Sequence, residues 1–111
     1  MIKVSVFYPN SEGARFDIDY YRDSHMPLVQ NRCGAACKGI AVEHGLAGPT
    51  PGSKPPFVAM GHIYFDTVEA FQAAFAAHAA EFMADVPNYT NIQPSIQISE
   101  VVIAGERAAT A

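Results

Sequence analysis

No run of apolar residues in this chain approaches the roughly 20 that a helix needs to cross a bilayer, so no membrane anchor is expected. Basic residues are few: the seven Lys and Arg stand singly in a chain of net charge -4. Nothing there neutralises a row of phosphates, which argues against nucleic acid or an anionic membrane as partner. The first predicted strand begins at Ile2 with no charged leader and cleavage site before it, and a cytoplasmic location is expected. Cysteine is scarce too. Cys33 and Cys37 are separated by three residues instead of the two of a redox or zinc motif, and no second pair exists to complete a metal site. Reduced, partly buried thiols are expected. His44, His62 and His78 lie far apart and form no ligand-spaced pair, so no metal is called for. Internal repeats and low-complexity tracts are missing as well.

Hydrophobic residues, by contrast, make up 50% of the 111 residues, and charged ones only 16%. That is enough chain for one core and too little for two. Residues 1–103 therefore read as a single domain, and residues 104–111, which carry no pattern, as a frayed tail. So much apolar surface on so small a chain implies that part of it faces a partner.

Residues 2–8 are short, β-branched and aromatic and end at Pro9, the mark of a strand. A loop over 9–15 follows. Residues 38–46 space Ile40, Val42 and Leu46 with smaller or polar residues, a weaker strand. The ten residues 47–56 hold four prolines and two glycines, so an exposed connection is expected there. Residues 57–65 form the clearest strand. Asp66 is placed to cap a helix, with Glu69 three residues on to complete a capping box, and Val68, Phe71, Phe75, His78 and Phe82 supply its apolar stripe. The pattern weakens near His78, where a bend is expected, and Pro87 with Asn88 ends the helix. Residues 95–103 are a last strand after a polar turn over 88–94.

The stretch 16–32 is the most unusual. Asp17 can serve as N-cap, with Phe16 and Tyr21 placed as a hydrophobic staple. Ile18, Tyr21, His25 and Leu28 then fall at helical spacing on one inward face. Pro27 has no N–H for the carbonyl of Asp23 and pushes Met26 toward an extended conformation. A helix over 17–24 is expected, then a break around His25 and Met26, then a second piece with Pro27 at its first position, ended by Gly34. An inward histidine at a helix break, beside tyrosines, has two readings. It is either a titratable group held in an apolar pocket or a core-edge residue whose nitrogens cap backbone groups freed by the break.

The order strand, helix, strand, strand, helix, strand is that of a ferredoxin-like α+β sandwich with a four-stranded antiparallel sheet. Two helices cover only one sheet face. In 57–65, Phe57, Ala59, Ile63 and Phe65 fall on one face and Val58, Met60 and Tyr64 on the other, while Ile96 and Ile98 oppose Val101 and Ile103 in the last strand. A sheet apolar on both faces needs a second cover, and a second copy packed face to face supplies it. A homodimer is expected.

Three runs arrive in order: Phe-Asp-x-x-Tyr-Tyr-x-x-x-His-x-Pro-Leu over 16–28, Tyr64-Phe65-Asp66 followed by Glu69-Ala70-Phe71, and Asp85-Val86-Pro87-Asn88-Tyr89-Thr90-Asn91. Together they resemble the EthD family, named for ethyl tert-butyl ether degradation, over nearly the whole chain. The resemblance implies a dimeric α+β barrel with a small cavity between sheet and helices, the motif histidine at it, and no metal or organic cofactor. It further implies a cofactor-independent oxidoreductase, isomerase or dehydratase/cyclase acting on a small apolar oxygenated or cyclic metabolite, or else a non-catalytic carrier of such a compound. On the positions that match, His25 is the candidate general acid/base. Tyr21, one turn before it, would orient His25 or a substrate oxygen. Tyr20, Thr90 and Asn91 are candidate substrate-binding residues, with holding the turn before the last strand as the other task for Asn91. Asp19 and Asp23 are near His25 in sequence, but helical spacing turns them toward solvent.

Overall fold

The computed structural model describes residues 1–105. Strands β1 (Ile2–Pro9), β2 (Gly39–His44), β3 (Phe57–Phe65) and β4 (Ser95–Glu100) form one antiparallel sheet in the order β2-β3-β1-β4. Helices α1 (Ile18–Tyr20) and α2 (Met26–Cys33), joined by a π-helical turn over Tyr21–His25, link β1 to β2. Helices α3 (Val68–Ala76) and α4 (Ala79–Asp85) link β3 to β4. This is the expected ferredoxin-like α+β sandwich.

Pairing fixes which face is the core. Val4 lies opposite Ile63 and Tyr8 opposite Ala59, and all four are buried. The helices bring Met26, Val29, Cys33 and Phe82 onto that face. Phe71 stands 5.4 Å from Phe65 by ring centroids, Phe75 5.2 Å from Phe71 and Phe82 4.9 Å from Phe75, so the aromatic stripe continues across the bend between α3 and α4. Burial in this cluster pushes the Cys33 thiol up to about 11, which keeps it protonated and unreactive at neutral pH. Arg32 grips both carboxylate oxygens of Glu81, at 2.9 and 3.1 Å, and ties α2 to α4.

The break in the first helix takes another form than the sequence suggested. Met26 stays helical (φ -66, ψ -37), and its N–H reaches back five residues to the carbonyl of Tyr21. One wide turn absorbs the bond that Pro27 cannot make, so the chain bends without becoming extended. The ends are as expected: the Asp17 side chain accepts from Tyr20 N, the Phe16 and Tyr21 rings pack at 5.0 Å, and Gly34 closes the helix at a positive φ of 60. In the second crossover the cap moves one residue on. Thr67, not Asp66, accepts from the N–H of Ala70, because Thr67 is the last extended residue before the helix (φ -141, ψ 162).

The last strand is also shorter than expected, ending at Glu100. Val101 N donates to Met1 O, after which Val102 and Ile103 are exposed. On the face away from the helices β4 presents Ser95, Gln97 and Ser99, which pair with Phe7, Ser5 and Lys3. That face therefore mixes Phe7, Val58, Met60 and Tyr64 with polar groups and is not the uniformly apolar surface read from the sequence. Ile96 and Ile98 point to the helix side at an edge where no helix covers them, and both are exposed. A register shift between Tyr8 and Pro9 brings the Phe57 ring 5.4 Å from Phe7. The 47–56 connection has no regular structure and closes on itself, with Gly48 N donating to Ser53 O and Ser53 Oγ to Thr50 O. Of the expected tail, Ala104 and Gly105 are exposed without regular structure, and 106–111 lie outside the described residues.

Candidate functional site

The wide turn aims His25 inward, as its spacing predicts, and its side chain is 8% exposed. Its Nδ1 lies 2.9 Å from Oδ2 of Asp85, the last residue of α4. A carboxylate only accepts, so Nδ1 carries the proton and Nε2 of the neutral ring keeps its lone pair. The two side chains come from crossovers separated by 60 residues. His25 thus engages a carboxylate and not a backbone group freed by the break.

Asp85 is itself held. Tyr20 donates its hydroxyl to Oδ1 at 2.7 Å, and Asn88 Nδ2 donates to the same oxygen at 3.0 Å. Burial pushes the Asp85 carboxyl upward, but the hydrogen bonds from Tyr20, Asn88 and His25 outweigh it and leave the group below the usual carboxylate range. Asp85 therefore stays ionised at neutral pH. The bond to Asp85 raises the phenol of Tyr20.

Rings close the other sides of His25. Tyr21 stacks on it at 5.6 Å and 13°, and Tyr89 packs against it at 4.6 Å and 51°. Tyr89 shares a hydrogen bond of 2.9 Å with Tyr8, and Phe16 completes the cluster 4.8 Å from Tyr8. Burial raises both Tyr21 and Tyr89 far above the ordinary phenol value, so neither ionises at any working pH. For His25, burial lowers the pKa and the Asp85 carboxylate opposes it, with burial the larger effect. Nε2 has no hydrogen-bond partner among the described residues, yet no side-chain N or O that is sealed from solvent lacks one, so Nε2 keeps contact with solvent.

The remaining predicted residues fall elsewhere. Thr90 Oγ1 donates to Arg15 O at 2.6 Å. Asn91 accepts from Arg15 N at 2.7 Å and donates to Gly13 O at 3.0 Å. Both clamp the loop after β1, and Asn91 lines a separate surface cavity of about 360 Å³. Asp19 and Asp23 pair with Arg22 in solvent, as their spacing predicts. None of the three cavities described is lined by His25. Among the described residues no group of three or more His, Cys, Asp or Glu side chains is arranged to hold a metal. The residues that sequence reasoning missed are Asp85, Asn88, Tyr89 and Tyr8. The signal for the first three was present in the run Asp85-Val86-Pro87-Asn88-Tyr89, where an acid and an amide sit three residues apart at a helix end.

The lowered His25 pKa has a sign. An unfolded histidine takes its proton near pH 6.5 and the folded one resists it, so stability is complete above that value and is lost as pH falls below it. The lowered Asp85 acts in the same direction at more acid pH. The melting temperature is expected to be level down to about pH 7 and to fall by about pH 5. A rise over that interval would contradict the burial of a neutral His25.

Residues 13–93 match the EthD domain family. An EthD-like protein from Ralstonia eutropha has 52% sequence identity and a TM-score of 0.90, with 98% of this chain and 96% of that one covered. An ethyl tert-butyl ether degradation (EthD) family protein from Bacillus halodurans shares the fold at 21% identity and a TM-score of 0.61, covering 90% of this chain and 97% of the other. HapK from Hahella chejuensis does so at 12% identity and a TM-score of 0.55, covering 96% and 99%. No protein with a curated description matches.

Proposed function

The chain belongs to the EthD family, and from that premise we propose that it is a small cofactor-independent acid–base catalyst acting on an apolar oxygenated or cyclic metabolite. The observation that carries this reading is the buried His25–Asp85 pair. Asp85 holds the proton on Nδ1, and Nε2 is left as a base of moderate strength that faces solvent. When Nε2 takes a proton from a substrate, the ionised Asp85 stabilises the imidazolium that forms, and Tyr20 and Asn88 keep the carboxylate from rotating away. Proton transfer of this kind is common to isomerisation, dehydration and cyclisation. Tyr21 and Tyr89 exclude water from two sides of the ring, which strengthens the pairing. A carrier of hydrophobic compounds would need the apolar rings but not a carboxylate locked to a histidine by a phenol and an amide.

In this reading the protein works as a homodimer, with Phe7, Val58, Met60 and Tyr64 of the open sheet face meeting a second copy. Its place is the cytoplasm.

Small ketones, lactones and cyclic enones incubated with the protein in D₂O provide the test. Protein-dependent deuterium uptake at the carbon next to the carbonyl is the expected result. A protein that binds such compounds and exchanges nothing is a carrier. Asp85→Asn separates the positioning role. Its amide donates to Nδ1, so NMR should show the His25 proton moved to Nε2, and exchange should slow even though His25 is intact. An Asn variant with the wild-type tautomer and rate would remove Asp85 from the mechanism.

A further inference from the structure

On the helix-free face of the sheet, His62 of β3 is buried in a network of side chains. Ser5 of β1 lies directly opposite it, with Oγ 2.9 Å from Nδ1, and Oε1 of Glu43 on β2 is 3.0 Å from Nε2. Glu43 only accepts, so in the neutral ring Nε2 carries the proton and the Ser5 hydroxyl donates to Nδ1. A second ring proton, on Nδ1, breaks neither bond. The Ser5 hydroxyl turns from donor to acceptor, while Glu43 accepts as before and gains an opposite charge as its partner. The network therefore holds in both protonation states, which it would not if a backbone N–H stood in place of the hydroxyl.

Glu43 differs from its two partners in exposure: Ser5 and His62 are buried, whereas the Glu43 side chain is 59% exposed and its charge is solvated. A second copy on this face, as in the dimer proposed above, removes that water. The other charged groups beside His62 are Lys3 of β1 and Glu100 of β4, which line the same cavity, and the next side chain of β3 on this face is the uncharged phenol of Tyr64, opposite Lys3. One ammonium thus stands against two carboxylates. With His62 neutral, each copy brings one uncompensated negative charge to the cavity, and like charges set between two sheets repel with little water to screen them. A proton on each His62 brings the sum to zero.

From this balance we propose that the dimer takes up two protons as it forms, one on the His62 of each copy, and so is held more tightly in mildly acid than in mildly alkaline solution. The inference rests on the face-to-face dimer and adds its regulation. Linkage sets the sign. The dimer binds more protons than two separate chains, so association strengthens as pH falls through about 7.5 to 5.5, the interval in which imidazoles titrate, and weakens as pH rises through it. Two protons per dimer set an upper limit of roughly a hundredfold in Kd per pH unit. His25 lies across the sheet among the helices and acts on the stability of each chain, so association itself has to be read, not melting.

Sedimentation velocity on a dilution series of the full chain at pH 6, 7 and 8 gives that reading. Subunit exchange between two dye-labelled pools, followed by energy transfer, extends it to a dimer that dilution does not dissociate, with faster exchange expected at pH 8. Kd is expected to fall by roughly tenfold or more from pH 8 to pH 6. His62→Gln keeps the excess negative charge and cannot take the proton, so it should associate weakly at both values with no dependence on pH. Glu43→Gln, at an exposed position that does not threaten folding, removes one carboxylate. Its dimer should be as tight at pH 8 as the wild-type dimer is at pH 6, with the dependence flattened. His25→Gln should retain the wild-type dependence. A dimer equally tight at pH 6 and pH 8, or tighter at pH 8, overturns the proton coupling and leaves the dimer standing. A chain that stays monomeric at micromolar concentration at every pH removes the dimer and this inference with it.

Discussion

His25→Gln should leave the protein folded and slow proton exchange into substrate by roughly a hundredfold or more, the range usual for loss of a general acid/base. Glutamine keeps much of the volume, and its amide still donates to Asp85, so the carboxylate is not stranded without its inner partner. What it lacks is a second nitrogen that takes a proton near neutral pH. The fall in melting temperature below about pH 7 should become shallower in the same variant, because the group that resists protonation is gone. A histidine held only for structure gives the reverse result, a lower melting temperature with exchange nearly intact. Measuring both on one variant decides between them.

The largest effect on stability is expected at a residue with no side chain. Gly61 lies in β3 opposite Val6, on the core face, and a Cβ there would overlap the hydroxyl of Tyr21 and press on its Cζ at 3.0 Å. Tyr21 cannot swing aside. It is 1% exposed and wedged between Tyr8, Phe16, His25 and Tyr89, with ring centroids 5.0 to 5.6 Å away. Gly61→Ala is therefore expected to cost about 1–3 kcal/mol, as overpacking of a dense core does. In a domain of this size that lowers the melting temperature by roughly 5–20 °C. Adding Tyr21→Phe removes the overlapping oxygen but not the ring, so the double variant should recover part of the loss. A single variant that melts with wild type would mean that Tyr21 does not rest on Gly61. The same ring stacks on His25, so a fold that survives the clash should still show a displaced His25 signal.

Close residues were legible from the chain alone. The Asp17 cap, the Phe16–Tyr21 staple, the disturbance before Pro27 and the stop at Gly34 each depend on groups within about five positions of one another, and periodicity carried the inward facing of Tyr21 and His25. The bend at His78 was read the same way. The form of the break was not, because a missing N–H can be met by an extended residue or by a wide turn. In the structure the wide turn is used, and from it Tyr21 and His25 pack into one aromatic cluster. The cap is another case: either residue type caps well, and Thr67, the last extended residue before the helix, is the one that does.

By itself, then, the sequence determined the order and type of the elements and the histidine that faces inward, since these follow from forces acting along a few residues of backbone, and that order pointed to the ferredoxin-like topology. Only the tertiary structure decided what that histidine meets. Asp85 reaches His25 because the chain bends at His78, between α3 and α4, and α4 lays its last residue beside the wide turn, and Tyr20 reaches Asp85 for the same reason. Ser5, His62 and Glu43 meet because the register of β1, β3 and β2 sets them side by side, and a shift of one residue would turn each to the other face. Contacts across so many residues depend on how whole elements pack, and no local pattern in the chain encodes that distance.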